Sequence, residues 1–153
     1  MQNPAAPKDS PTDLLKQNDE ILFKKGGCGA FALELHEAFQ LMGVKMSEMQ
    51  YLQGGHEESA AHVFVKIDAG YFDSGFGPKT KEQIWSEWPK YNNQPIRVVG
   101  SPAWLTKVGG QQGSCPISCL GLCVDETFLS ESRRRAKLFI ERNWSKFEAG
   151  WKL

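Results

Sequence analysis

The chain has 153 residues, the length of one domain, and its 18 Lys and Arg balance 18 Asp and Glu. A formal net charge of zero argues against a strongly basic nucleic-acid binder or a polybasic membrane binder as the identity of the whole chain. Apolar residues at 41% and aromatics at 11% are enough for a core, while no apolar run approaches the ~18 residues that span a bilayer and the N-terminus has no basic-then-apolar signal pattern. The expectation is a cytoplasmic, soluble chain without a membrane span.

Residues 1–9, with Pro4 and Pro7 and little apolar character, read as a disordered tail, leaving 10–153 as a single domain. Ser10-Pro11-Thr12-Asp13 predicts a helix start, with Ser10 as cap, Pro11 in the first turn and Asp13 at the positive end of the dipole. Leu14, Leu15, Ile21 and Leu22 continue a short first helix to about Lys24 and Lys25. Gly26-Gly27-Cys28-Gly29 interrupts it. From Cys28 to Met42, Phe31, Leu35, Ala38, Phe39 and Met42 recur at steps of three and four, the clearest amphipathic helix of the sequence, stopped by Gly43. Its His36, beside Glu34 and Glu37, is expected on the solvent side.

Val44 to Leu52 alternates poorly and reads as a strand or an irregular segment; Gly54 to Glu58, including His56, reads as a loop. His62-Val63-Phe64-Val65-Lys66-Ile67 is a strand by its β-branched and aromatic content, Asp68-Ala69-Gly70 a turn, and Tyr71 to Ser74 a second strand. Gly75 to Gly77 and Pro78 are expected to close that hairpin. Trp85, Trp88 and Tyr91 lie in a mixed segment, with the tryptophans read as core or half-buried lids that could flank a cleft. A strand is expected at Ile96 to Val99, and the glycine-rich stretch Ser101 to Ser114 has no period. One long helix is predicted from Glu126 to Phe147, with Leu129, Ala136, Ile140, Trp144 and Phe147 as its buried stripe. Arg133 to Lys152 holds seven basic and two acidic residues, a local charge of +5 read as a solvated face, with Glu131 available to the arginine run at i, i+4.

Chemistry concentrates at Cys28. A helix N-terminus offers unpaired N–H groups and partial positive charge, which stabilise a thiolate and can hold an oxyanion. Flanking glycines clear space around it. Alone, a small buried cysteine closing a helix start is the commoner role. A nucleophilic thiol also needs an imidazole, and the imidazole a third group to orient it. His62 and Asp73 fill these roles only in one hairpin register. If a four-residue loop from Ile67 to Gly70 pairs Lys66 with Tyr71 and Phe64 with Asp73, then Asp73 lies diagonal to His62 on one face, within reach of its side chain. A two-residue loop at Ala69-Gly70 would instead pair Asp73 with Lys66, too far away. The everyday alternative for Asp73, beside Ser74-Gly75, is a turn residue bonded to its own backbone.

Gly27-Cys28-Gly29-Ala30-Phe31 opening a helix, His62 opening Val63-Phe64-Val65, and Phe72-Asp73-Ser74-Gly75-Phe76-Gly77 resemble the Cys–His–Asp core of papain-like thiol enzymes, most closely the transglutaminase-like branch that includes arylamine N-acetyltransferases. The resemblance covers Gly26 to Gly77. It implies an α+β fold, with the nucleophile helix packed on a small antiparallel sheet and a closing C-terminal helix. It implies Cys28 as nucleophile, His62 as general base and acid, and Asp73 as orienting carboxylate, in a cysteine-dependent hydrolase acting on an amide, as a peptidase or glutamine deamidase. The alternatives are an acyltransferase of transglutaminase type and a non-catalytic binding or regulatory module. Arylamine N-acetyltransferases are much longer chains, and the glutamine that papain-type proteases place shortly before the nucleophile is missing, since Leu22 and Phe23 occupy that stretch. Gln17, Gln50 and Gln53 are the possible substitutes.

A protein or peptide substrate is expected, and no cofactor. Cys115, Cys119 and Cys123, four residues apart, are weak candidates for a metal or iron–sulfur site or a redox role, with core packing the leading reading. No Walker-type or dinucleotide-binding glycine pattern occurs.

Overall fold

The computed structural model describes residues 11–55, 60–99 and 126–152. The first helix of the sequence reading is two. Helix α1 (Pro11–Leu15) and α2 (Asp19–Lys24) are separated where Asn18 turns out of helical geometry and its side chain accepts from the Ile21 N–H at 2.9 Å, capping α2. Helix α3 (Cys28–Leu41) follows, and Gly43, at φ +73°, ends it in the left-handed conformation that only glycine adopts without strain.

Five strands form one antiparallel sheet in the order β4-β3-β2-β1-β5. They are β1 (Glu48–Gln53), β2 (Ala60–Ile67), β3 (Gly70–Asp73), β4 (Phe76–Lys79) and β5 (Ile96–Val98). The ambiguous stretch after Gly43 is thus half loop and half strand. Of Gly75 to Pro78, expected to close that hairpin, Phe76 to Pro78 instead join Lys79 in β4. That strand lies at the sheet edge, where the missing N–H of Pro78 leaves no ladder bond unmade.

Because side chains alternate, the sheet has two apolar faces. One presents Met49, Tyr51, Val63, Val65, Ile67 and Phe72 to the main core, with α3 packed against β2. The other presents Leu52, Phe64 and Tyr71 to a smaller cluster completed by Ile84, Trp85 and Trp88. The cover on this second face is helix α4 (Lys81–Glu87), which the sequence reading left as a mixed segment. Thr80 and Gln83 form a capping box at its start, with the Thr80 hydroxyl accepting at 3.1 Å and the Gln83 side chain returning a bond at 2.7 Å.

The C-terminal helix is also divided, into α5 (Glu126–Arg142) and α6 (Trp144–Trp151), at Asn143, whose side chain donates back to the Phe139 carbonyl at 2.9 Å. Phe139 and Phe147 close on Phe31 of α3 at centroid distances of 5.6 and 6.3 Å. The arginine run is not simply solvated. Arg134 pairs with Glu131, as i, i+3 rather than i, i+4. Arg133 reaches Glu34 of α3 at 2.6 Å, and Arg135 binds Asp19 and the carbonyls of Leu15 and Gln17, fastening α5 to the first two helices. His36 is half-buried, its Nδ1 2.7 Å from the Ser47 hydroxyl, rather than turned to solvent.

Among the described residues no helix is long and apolar enough to cross a membrane. Cys115, Cys119, Cys123, His56 and the glycine-rich stretch lie outside the described residues.

Helix α6 seats on the strands by close approach: a Cβ at Gly150 would fall 2.7 Å from the Gly77 carbonyl oxygen and from the Phe72 ring. Gly→Ala in a helix interior ordinarily stabilises by up to ~1 kcal/mol. Here overpacking dominates, and Gly150→Ala is expected to lower the urea-unfolding free energy by about 1–3 kcal/mol.

Candidate active site

The hairpin register decides where the polar residues meet. Val65 pairs with Phe72, Lys66 with Tyr71 and Ile67 with Gly70, so the expected register holds but the connection is the two residues Asp68-Ala69 rather than a four-residue loop, because Ile67 and Gly70 are themselves paired. One further step along the same register sets Phe64 opposite Asp73, with His62 on the diagonal of the same face. At its other end β2 carries a bulge: Leu52 pairs with His62 but Gln53 pairs with Ala60, so Ala61 is extra. Such bulges re-aim the side chains beside them.

His62 Nε2 lies 2.9 Å from Asp73 Oδ2, and both residues are buried, at 2% and 5% exposure. The indole of Trp88, at the C-terminal end of α4, stacks on the imidazole at 4.9 Å with the planes 26° apart. Asp73 Oδ1 accepts from the Gly75 N–H at 2.8 Å and from Lys79 Nζ at 2.9 Å. Asp73 therefore does what a turn aspartate does and faces the histidine as well; the two roles use different oxygens. Lys79 also meets Glu87 of α4 at 2.8 Å. Phe76 adopts φ +74°, unusual for a bulky residue, and its ring is held against Phe147 at 5.0 Å and Phe139 at 6.0 Å. That turn is what brings Gly75 and Lys79 round to Asp73.

Cys28 begins α3 as a buried thiol, 1% exposed. The second ring nitrogen of His62, Nδ1, is buried. Cys28 is the group that acts on the ring besides Asp73. Burial by itself disfavours a charged imidazole, yet the hydrogen bonds and negative charges of Asp73 and Cys28 outweigh it and raise the His62 pKa from 6.5 to about 9. Burial likewise opposes ionisation of Asp73, but His62 and Lys79 overcome it and hold the carboxyl well below the usual range. Lys79 is raised despite its own burial, by Asp73 and Glu87.

A pocket of about 390 Å³ opens here, walled by Lys24, His62, Asp73, Ser74, Gly75, Lys79, Glu87 and Trp88. Cys28 is not among its walls. The three residues singled out from sequence thus converge on the imidazole, and His62 and Asp73 wall the pocket while Cys28 does not. The possible substitutes for the missing glutamine do not join them. Gln50 donates to Glu48 at 2.7 Å, Gln53 is engaged by Gln94 and Arg97, and Gln17 is exposed beside α5. Among the described residues no cluster of three or more His, Cys, Asp and Glu could hold a metal ion.

Sequence reasoning missed Lys79 and the role of Trp88. The signals were the Thr80–Gln83 capping box, which announces the helix ending at Trp88, and the run Phe76 to Lys79, which is a strand despite Gly77 and Pro78.

No protein-family model, no curated protein and no solved structure matches this chain.

The ionisations set the pH dependence of folding. With its folded pKa lowered from 3.8, Asp73 contributes stability that is present above pH ~4 and lost as pH falls further. With its folded pKa raised from 6.5 to about 9, His62 contributes stability that is complete below pH ~6.5 and lost as pH rises through about 9. Urea midpoints are expected to peak between roughly pH 4.5 and 6.5. Asp73→Asn removes the buried counter-charge that Lys79 and the imidazolium share, and should cost about 3 kcal/mol at pH 6 and flatten both limbs.

Proposed function

We propose that this chain is a cysteine-dependent hydrolase of an amide bond, with the papain-like, transglutaminase-like arrangement its motifs resemble. The observation that carries the reading is the buried His62–Asp73 pair at 2.9 Å with Cys28 acting on the same imidazole. In this reading the ring holds a proton that the thiol has released. The Cys28 thiolate attacks the carbonyl carbon, and the imidazolium gives its proton to the departing amine as the C–N bond breaks. That leaves a thioester on Cys28 and neutral His62. Water then loses a proton to His62 as its oxygen attacks the thioester, and the C–S bond breaks to release the acid and restore the thiolate beside the imidazolium. Asp73 keeps its charge throughout and fixes the ring orientation. A glutamine side chain in place of a peptide bond makes the same cycle a deamidation; an amine in place of water makes it a transfer.

One observation favours a second reading, a binding module whose triad is idle: Cys28 is 1% exposed and does not line the pocket.

Thiolate absorbance at 240 nm, taken as the difference between the native chain and Cys28→Ala, reports ionisation whatever the access. The expected thiolate persists below pH 6, and His62→Ala returns the transition to ~8.5. Iodoacetamide at pH 6 should alkylate Cys28 faster than Cys115, Cys119 and Cys123; equal labelling of all four, together with an ordinary thiol titration, sinks the hydrolase reading. A low thiolate pKa without release of amine or ammonia from peptide amides, and without hydroxylamine-trapped acyl product, selects the idle module.

A further inference from the structure

Asp73 has more partners than an orienting carboxylate needs. While Oδ2 meets His62, Oδ1 is bound by the Gly75 N–H at 2.8 Å and by Lys79 at 2.9 Å. The Gly75 bond alone would fix the carboxylate. Lys79 adds a full positive charge from a side chain only 13% exposed, whose other partner, Glu87, is 44% exposed and in contact with water.

The charged groups around the imidazole come from several elements: Cys28 from α3, Asp73 from β3, Lys79 from β4, Glu87 from α4, and Lys24 from α2 at the pocket wall. Two of them, Cys28 and Asp73, act on the ring directly, and both favour its charged form. An acid held by two anions releases its proton reluctantly, and a general acid works best when its pKa is near the working pH. A cation on the far oxygen of the carboxylate offsets one of the two without disturbing the Oδ2 bond that orients the ring.

We propose that Lys79 is a positioning residue that pairs with Asp73 as a charge-neutral unit, so that Asp73 orients His62 while leaving its proton transferable. The catalytic consequence rests on the hydrolase reading; the electrostatic consequence does not. The pairing depends on β4, since Lys79 stands opposite Tyr71 and so projects to the face that carries Asp73 and His62.

The test is the imidazole pKa of His62, read by NMR titration of the full chain labelled at histidine. The Cys28→Ala background removes the thiolate, and His62→Ala assigns the signal among the three histidines. Lys79→Met should raise the His62 pKa by about one unit, and Lys79→Arg should hold it within ~0.3 unit. Asp73→Asn should lower it. Asp73→Asn with Lys79→Met should lie about one unit above Asp73→Asn alone, because removing the cation favours the charged ring whichever residue stands at position 73. A lysine with a structural role alone would lower the melting temperature of Lys79→Met and leave the imidazole unmoved; that result, or a fall in pKa, overturns the proposal. Should Lys79→Met fail to fold, the doubly substituted chain decides, since it leaves neither Lys79 nor Asp73 charged. Adding Lys79→Met to Asp73→Asn must then raise the His62 pKa, and no rise overturns the role. With Cys28 present, the alkaline limb of amide hydrolysis should move upward with Lys79→Met. A shifted imidazole in a chain that cleaves no amide sinks the hydrolase reading and leaves the Lys79 pairing standing; cleavage with an unshifted imidazole does the reverse.

Discussion

A carboxylate taken out of water must be surrounded by donors, and much of this structure can be derived from how Asp73 meets that demand. It lies at the end of β3, where the register with β2 brings His62 to one oxygen. The turn into β4 brings Gly75 and Lys79 to the other. Lys79 in turn fixes Glu87, at the end of α4, and the next residue, Trp88, lies flat on the imidazole. The second apolar face of the sheet, the edge strand and the covering helix thus all converge on one buried charge. The main core on the opposite face supplies the thiol, because the glycine-lined start of α3 is packed there.

What the sequence disclosed and what it hid divide along physical lines. The Cys28 helix was legible because its apolar residues repeat at helical spacing and glycines bound it at each end. The His62–Asp73 encounter was legible because face parity in a hairpin has few solutions, and the observed pairing of Lys66 with Tyr71 is the one that joins them. Strand β4 was hidden because Gly77 and Pro78 carry the composition of a turn, and only the sheet-edge position makes proline acceptable there. Without β4 in place, Lys79 had no reason to be near Asp73. The breaks at Asn18 and Asn143 were hidden for another reason: each is set by one side-chain amide bonding a backbone group, a contact that apolar periodicity does not register. Helix α4 was the avoidable loss, for its capping box is written plainly at Thr80 and Gln83.

The two faces of the sheet also differ in kind. The main core is a wide apolar cluster, rich in phenylalanine, that includes Cys28. The smaller cluster mixes Leu52, Phe64, Tyr71 and Ile84 with half-buried tryptophans, and borders the polar network directly. His62 sits where the two regimes meet, on the polar face but in reach of a thiol from the apolar side. A group there is desolvated enough for its partners to matter, and still adjacent to a pocket.

The long-range clasp made by α5 has a consequence for the order in which the molecule can assemble. Arg135 binds Asp19 and the Leu15 carbonyl across 116 and 120 positions, and Phe139 packs on Phe23 and Phe31. The helix that begins with Cys28 is therefore translated early and enclosed late. The aromatic flank of α3 at Phe31 stays uncovered until a helix from much later in the chain has docked on it, the kind of non-local contact that slows folding.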